Sequence, residues 1–176
     1  PIYPPDRLAA IRVTRGGGSG AQGPGALAGT IELESAGVDM LPRLSADLAY
    51  GSRDSIDASA GASARLGEGF ASISASYQRG DGFIPIVKDQ RGTIDRPAPY
   101  EQASVAARAV VPVGEQAELQ AALLAFTDAR ERGTAYTANS TQGADASLRL
   151  VGRGRWGWSA LAYLQARAFS SQFASV

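Results

Sequence analysis

Between residues 44 and 168 the chain carries seven runs that alternate, residue by residue, between apolar and polar side chains. A period of two is the mark of strands whose two faces meet different surroundings. Leu44, Ala46, Leu48 and Tyr50 alternate with Ser45, Asp47 and Ala49; Ile56, Ala58, Ala60, Ala62 and Ala64 alternate with Asp57, Ser59, Gly61, Ser63 and Arg65. The same pattern recurs around 71–78, 103–111, 118–125, 144–150 and 156–168. Wound at 3.6 residues per turn, these runs would mix charged and apolar side chains on every face, so their abundant alanine does not make them helices. Leu124, Leu161 and Tyr163 break the alternation by falling on the polar face.

The connections add a second constraint. Glycine or proline marks tight turns at 51–55, 66–69, 112–116 and 152–155, whereas 79–101 and 128–142 read as long loops. Counting strands places both long loops at one end of the sheet, beside 51–55, and the other three tight turns at the opposite end. Short turns on one rim and longer loops on the other, joining strands of about ten residues, are the arrangement of outer-membrane barrels. Tyr50 and Tyr77 fall on the apolar face at the loop ends of their strands, and Trp156 and Trp158 at the turn end of the last one. Aromatics at two opposite depths are expected where a wall crosses two lipid headgroup layers.

Composition removes several alternatives. The chain has neither histidine nor cysteine, so thiolate or histidine metal sites and Ser-His-Asp or Cys-His catalysis are excluded within it. Seventeen basic and seventeen acidic residues leave a formal net charge of zero, which gives no electrostatic reason to expect a nucleic-acid partner. No apolar run approaches the roughly eighteen residues of a membrane helix, so a membrane reading requires strands.

Ahead of the alternating region, residues 11–33 read as a strand, a glycine-dense passage and a second strand. A helical turn is expected before Ile11, from Pro5 and Asp6, and a connector at 37–43. The passage spells Gly18-x-Gly20-x-x-Gly23, but a dinucleotide fingerprint needs a strand that hands over to a helix. Here Pro24, Gly25 and then Thr30-Ile31 follow, and no helix fits.

The order Ile11, Val13, Arg15-Gly16, Ser19, Gly23, Gly25-Ala26-Leu27, Gly29 and Ile31 resembles the end of the plug domain of TonB-dependent outer-membrane transporters. The likeness covers roughly residues 4–33. Arg12 stands where that family usually has an acid, Gly17 where it often has proline, Gln22 where tyrosine is frequent, and Glu32 where asparagine is common. The resemblance implies a mainly β fold: a partial transmembrane antiparallel β-barrel, a meander of about seven strands over 44–176, preceded by the end of a plug at 1–36 and the connector at 37–43. It implies a segment of a Gram-negative outer-membrane receptor that imports a scarce solute, such as an iron chelate. The energy would come from TonB, acting on a segment upstream. No enzyme activity and no cofactor are expected.

By the same resemblance, Arg15 locks the plug to barrel carboxylates, and Gly16, Ser19, Gly23, Gly25, Ala26, Gly29 and Ile31 form the plug motif. The 79–101 loop faces arriving solute, with Phe83, Lys88, Arg91, Arg96 and Tyr100 as entrance residues. Asp57, Arg65, Arg108, Glu118, Asp145, Arg149 and Arg167, on the polar strand face, would line the lumen. The competing expectation is a soluble all-β domain of binding or adhesin type, whose apolar face packs on a core. So many alanines would bury little area per strand in such a core.

Overall fold

The computed structural model describes residues 7–16 and 28–173 and is mainly β, built from antiparallel sheets. It divides into two units, Pro1–Pro42 and Arg43–Val176.

In the first unit β1 (Leu8–Arg15) pairs antiparallel with β2 (Gly29–Ser35). Ile11 faces Leu33 and Val13 faces Ile31, so the β-branched and leucyl side chains of the two strands share one side. The strand begins at Leu8, three residues before the expected start at Ile11, because Leu8 already pairs with Ser35. Gly16 N–H donates to Ala28 O at 3.0 Å, which brings the two ends of the glycine passage together. Among the described residues of this unit, Ala36 and Leu41 are the buried apolar ones.

The second unit is a seven-stranded meander in sequence order: β3 (Leu44–Gly51), β4 (Ser55–Leu66), β5 (Gly69–Gly80), β6 (Tyr100–Val113), β7 (Ala117–Glu131), β8 (Ala138–Arg153) and β9 (Gly157–Gln172). Every neighbouring pair is antiparallel and, from Leu44 to Gln172, the registers run without a bulge. The apolar positions of all seven strands therefore fall on one face. One row across it reads Ala46, Ala60, Ala75, Val105, Ala125, Ala144, Ala166, and the next Leu44, Ala62, Ile73, Ala107, Leu123, Ala146, Leu164.

Strands β6 to β9 are longer than their apolar alternation suggests. Asp128 pairs with Thr141 and Glu131 with Ala138, so the ladder continues through residues expected in a long loop, and the β7–β8 connection shrinks to 132–137. The 81–99 loop remains long and carries one 3-10 turn at Lys88–Gln90.

Candidate functional site

Burial in the sheet runs opposite to that of an ordinary β-sandwich. On the apolar face Leu48 is 79% exposed, Ile73 53%, Leu123 59% and Leu164 71%, while the buried residues Phe70, Val110, Leu124 and Phe126 lie on the polar face at 8–9%. Through β5, β6 and β7 the large side chains of the apolar face are thus the exposed ones and those of the polar face the covered ones, whereas Leu161, Tyr163 and Phe169 on the polar face of β9 are 61–70% exposed.

The apolar face carries no charge from the row of Leu48, Tyr77 and Ala168 to the row of Val113 and Trp158. Charged residues return one row beyond Tyr77, where Arg79 faces Glu101. On β9 this band runs from Trp158 to Ala168, roughly 34 Å at ~3.4 Å per residue. Inclined by ~40°, it projects to about 26 Å, close to the ~25 Å apolar band of an outer-membrane wall.

The expected interface aromatics lie at the two ends of this band. Tyr50 and Tyr77 are at the loop end, their hydroxyls donating to Asp54 at 3.2 Å and to Glu101 at 3.1 Å. Trp158 is at the turn end, its indole over Gly152. Trp156 sits in the β8–β9 turn and is 78% exposed.

Cross-strand polar pairs line the other face. Gln78 donates to Asp57 at 2.8 Å, Gln102 to Asp128 at 2.9 Å, Arg153 to Glu118 at 3.2 Å and Arg167 to Asp145 at 2.6 Å; Ser76 and Ser104 share a hydrogen bond of 2.8 Å. Arg108 lies over the Phe70 ring and Arg167 over Phe126, at 5.3 and 5.0 Å from the ring centroids. Guanidinium over an aromatic face is attractive and covers the ring. Phe70 and Phe126 thus find cover on a face that the alternation marks as polar.

At the loop end, 81–99 is folded against 132–137. Arg96 N–H donates to Gly133 O at 2.9 Å, Ala135 N–H to Ile94 O at 3.2 Å and Glu131 N–H to Pro99 O at 2.9 Å. The five expected entrance residues do not converge on one pocket. Phe83 lies under the Arg53 guanidinium at 5.6 Å, and Lys88 is on the exposed 3-10 turn. Arg91 donates to Ile86 O at 2.9 Å and Arg96 to Thr93 O at 2.9 Å, so both guanidinium groups hold loop carbonyls. Tyr100 opens β6 and helps line a depression of about 470 Å³ at the strand ends, with Arg79, Glu101, Arg130 and Asn139.

The tight turn expected at 51–55 is present, and what the sequence did not reveal is its conformation, in which Arg53 and Asp54 take left-handed φ of 60° and 52°. Asp54 accepts from both Tyr50 and Arg79, the latter at 2.5 Å, and so ties β3 to β5 at the rim. An aspartate after a strand-end tyrosine and arginine is a faint signal of such a turn, since Asp tolerates positive φ.

Of the expected plug residues, Ser19, Gly23, Gly25 and Ala26 lie outside the described residues. Gly16 ends β1 with φ 101°, Gly29 opens β2 opposite Arg15, and Ile31 faces Val13. Arg15 is exposed and makes no ion pair with the described residues. Two departures from the family pattern compensate each other: Arg12 and Glu32 are register partners and form an ion pair of 3.0 Å. The antiparallel pairing of β1 with β2 is also a hairpin geometry, unlike the parallel strand and helix that hold a dinucleotide.

Comparison of the chain with family models, curated proteins and solved structures finds no match.

Proposed function

We propose that this chain is the end of the plug and the first seven barrel strands of a Gram-negative outer-membrane transporter of the TonB-dependent type. It would help bind a scarce solute, such as an iron chelate, at the outer surface and import it with energy delivered by TonB through a segment upstream. The observation that carries this reading is the inverted burial of the sheet: Leu48, Ile73, Leu123 and Leu164 exposed, Phe70, Val110, Leu124 and Phe126 covered. The charge-free band of membrane height, bounded by tyrosines at one end and tryptophans at the other, supports it. So does the Arg15-Gly16 hairpin with its glycine passage. In this reading the tight turns are periplasmic, the 81–99 loop is extracellular, the polar face is luminal, and Arg15 takes a barrel carboxylate.

Because the chain contains no cysteine, single cysteines can report on each face. Leu123→Cys and Leu124→Cys, placed in the whole transporter and labelled with an environment-sensitive fluorophore, should differ sharply. The 123 label should be quenched by nitroxides on lipid acyl chains and the 124 label should not. A 123 label reached by a water-soluble quencher would instead favour a soluble all-β domain. Solute uptake that persists after deletion of TonB would exclude the transport mechanism while leaving the wall intact.

A further inference from the structure

At the loop end of β7, β8 and β9 the two faces of the sheet treat their polar side chains in opposite ways. On the polar face these close on cross-strand neighbours: Gln102 on Asp128, Asn139 on Ser171 and Arg167 on Asp145. On the apolar face Thr127, Ser140, Gln142, Ser170 and Gln172 are all exposed, and none of their side chains hydrogen-bonds another described residue. They form one panel, since Thr127 pairs with Gln142 and Ser140 with Ser170, while Gln172 lies one row beyond, opposite Ala138. Thr127 and Gln142 stand in the outermost row of the charge-free band, where an unpaired amide or hydroxyl is costly. Each of the five side chains both donates and accepts.

We infer that this panel is where a second copy of the chain docks, forming a lateral two-fold dimer about β8, an inference that rests on the membrane reading above. Two copies inserted side by side in the same sense can be related only by an axis along the membrane normal, which keeps every residue at its own depth. The panel therefore meets itself, and side chains that both donate and accept can satisfy their own copies. Charge selects the same strands. The depression at this end of the sheet also carries Arg79, Asp81, Glu101, Arg130 and Glu131. Arg79 is tied to Asp54 and Arg130 to Asp128, which leaves Asp81 beyond β5, Glu101 on β6 and Glu131 at the end of β7. An axis through β5 or β6 would set like charges against each other at one depth, which is costly. On this face β8 carries no charge from Ala138 to Gly152, and β9 none from Trp158 to Gln172. Below the panel Ala125, Ala144 and Ala166 make a row of small side chains, which lets two walls approach closely.

The test uses the whole protein, freed of any native cysteine and reconstituted in phospholipid vesicles. Ala144→Cys, on β8 beside the axis, should cross-link to its own copy on oxidation, whereas Ala60→Cys, in the same row four strands away, should not. Gln142→Leu should weaken the dimer about three- to tenfold, the scale of one hydrogen bond between membrane-spanning elements. Subunit counting by single-molecule photobleaching, as the vesicles are diluted with lipid, reads that change. Equal cross-linking at both cysteines would show collision alone and overturn the inference. So would monomers at every dilution, or a Gln142→Leu dimer as tight as the parent. An environment-sensitive label on the Ala60 cysteine separates these failures from that of the membrane reading. Quenching by nitroxides on lipid acyl chains leaves the wall in the membrane with the dimer lost; a label that stays unquenched overturns both.

Discussion

Phe126 and Gly143 face each other across the β7–β8 ladder, and the ring occupies the space a side chain at 143 would need. A Cβ there would stand 2.8 Å from Phe126 Cε1 and 2.8 Å from Arg167 Nη1. The same pairing of a strand glycine with a cross-strand aromatic recurs at Gly80 with Tyr100 and at Gly152 with Trp158. An aromatic ring laid over a glycine restores the cover a missing side chain leaves and pins the register. Gly143→Val should therefore destabilise the sheet by about 1–3 kcal/mol through overpacking. Gly157→Ala, with open space around its Cβ, should stay within about 0.5 kcal/mol of the parent. Urea unfolding midpoints of the two variants in lipid vesicles make the comparison. Equal midpoints would mean that the ring does not depend on the glycine.

Depth should govern what the apolar face tolerates. Leu123 lies in the middle of the charge-free band, and Ala129 lies beside Glu101 at its edge. If this face meets lipid, Leu123→Arg costs about 2–4 kcal/mol and Ala129→Arg about 0–1 kcal/mol. The measurement is the folding equilibrium of each variant of the whole protein in vesicles. A cost below about 0.5 kcal/mol at both positions is what ordinary surface substitutions give, and it would remove the lipid-facing reading.

The sheet was legible wherever one face is apolar, because alternation is enforced by the medium that face meets. It was illegible at the loop ends of β7 and β8, where Thr127, Asp128, Arg130 and Asn139, Thr141, Gln142 put polar side chains on both faces and leave no hydrophobic period. Those residues pair as strands because the ladder hydrogen bonds continue and because Asp128 accepts from Gln102 and Arg130. The polar face also hides an apolar element. Phe126 falls where the pattern asks for a polar residue, and only Arg167, forty-one positions away in sequence, explains its cover. The loop residues expected at a ligand entrance could be located along the chain, yet the directions of Arg91 and Arg96 depend on carbonyls at Ile86 and Thr93 that no spacing rule exposes. Likewise, the mutual compensation of Arg12 and Glu32 is visible only once the hairpin register is known.

The Asp145–Arg167 pair joins β8 to the last strand and should be coupled rather than ornamental. Arg167 holds Oδ2 at 2.6 Å, while Oδ1 is buried without a partner among the described residues. Arg167→Met keeps much of the side-chain volume but removes the guanidinium that holds Oδ2, and should lower the unfolding midpoint. Asp145→Asn should recover part of that loss, because the neutral amide tolerates burial better than an unpaired charge. A double-mutant cycle read by thermal unfolding should give a favourable coupling between the two sites, with the double variant less damaged than the sum of the singles. Strict additivity would show that the pair contributes only individually.

Gly133 is the point on which the 81–99 and 132–137 loops meet. Its φ of 84° is left-handed, and a Cβ would meet Pro85 Cδ at 2.6 Å, so a larger residue strains its own backbone and pushes on the neighbouring loop together. Its carbonyl also receives the Arg96 N–H that stitches 81–99 to 132–137. Gly133→Val should release the stitch. With ~1–3 kcal/mol of backbone strain, the open population rises by about 5- to 150-fold. An endoproteinase that cleaves on the N-terminal side of aspartate offers a local readout, because its sites at Asp89 and Asp95 differ in how they are held. Asp95 is bridged to Thr134 and accepts the Gly92 N–H at 2.7 Å, whereas Asp89 is on an exposed turn. Cleavage before Asp95 should accelerate by about the same factor as the opening. Cleavage before Asp89 should change little, and the strand signal in circular dichroism should hold. Acceleration at both sites alike would mean that the loop opens as a whole without any hold from Gly133, and the stitch would lose its meaning.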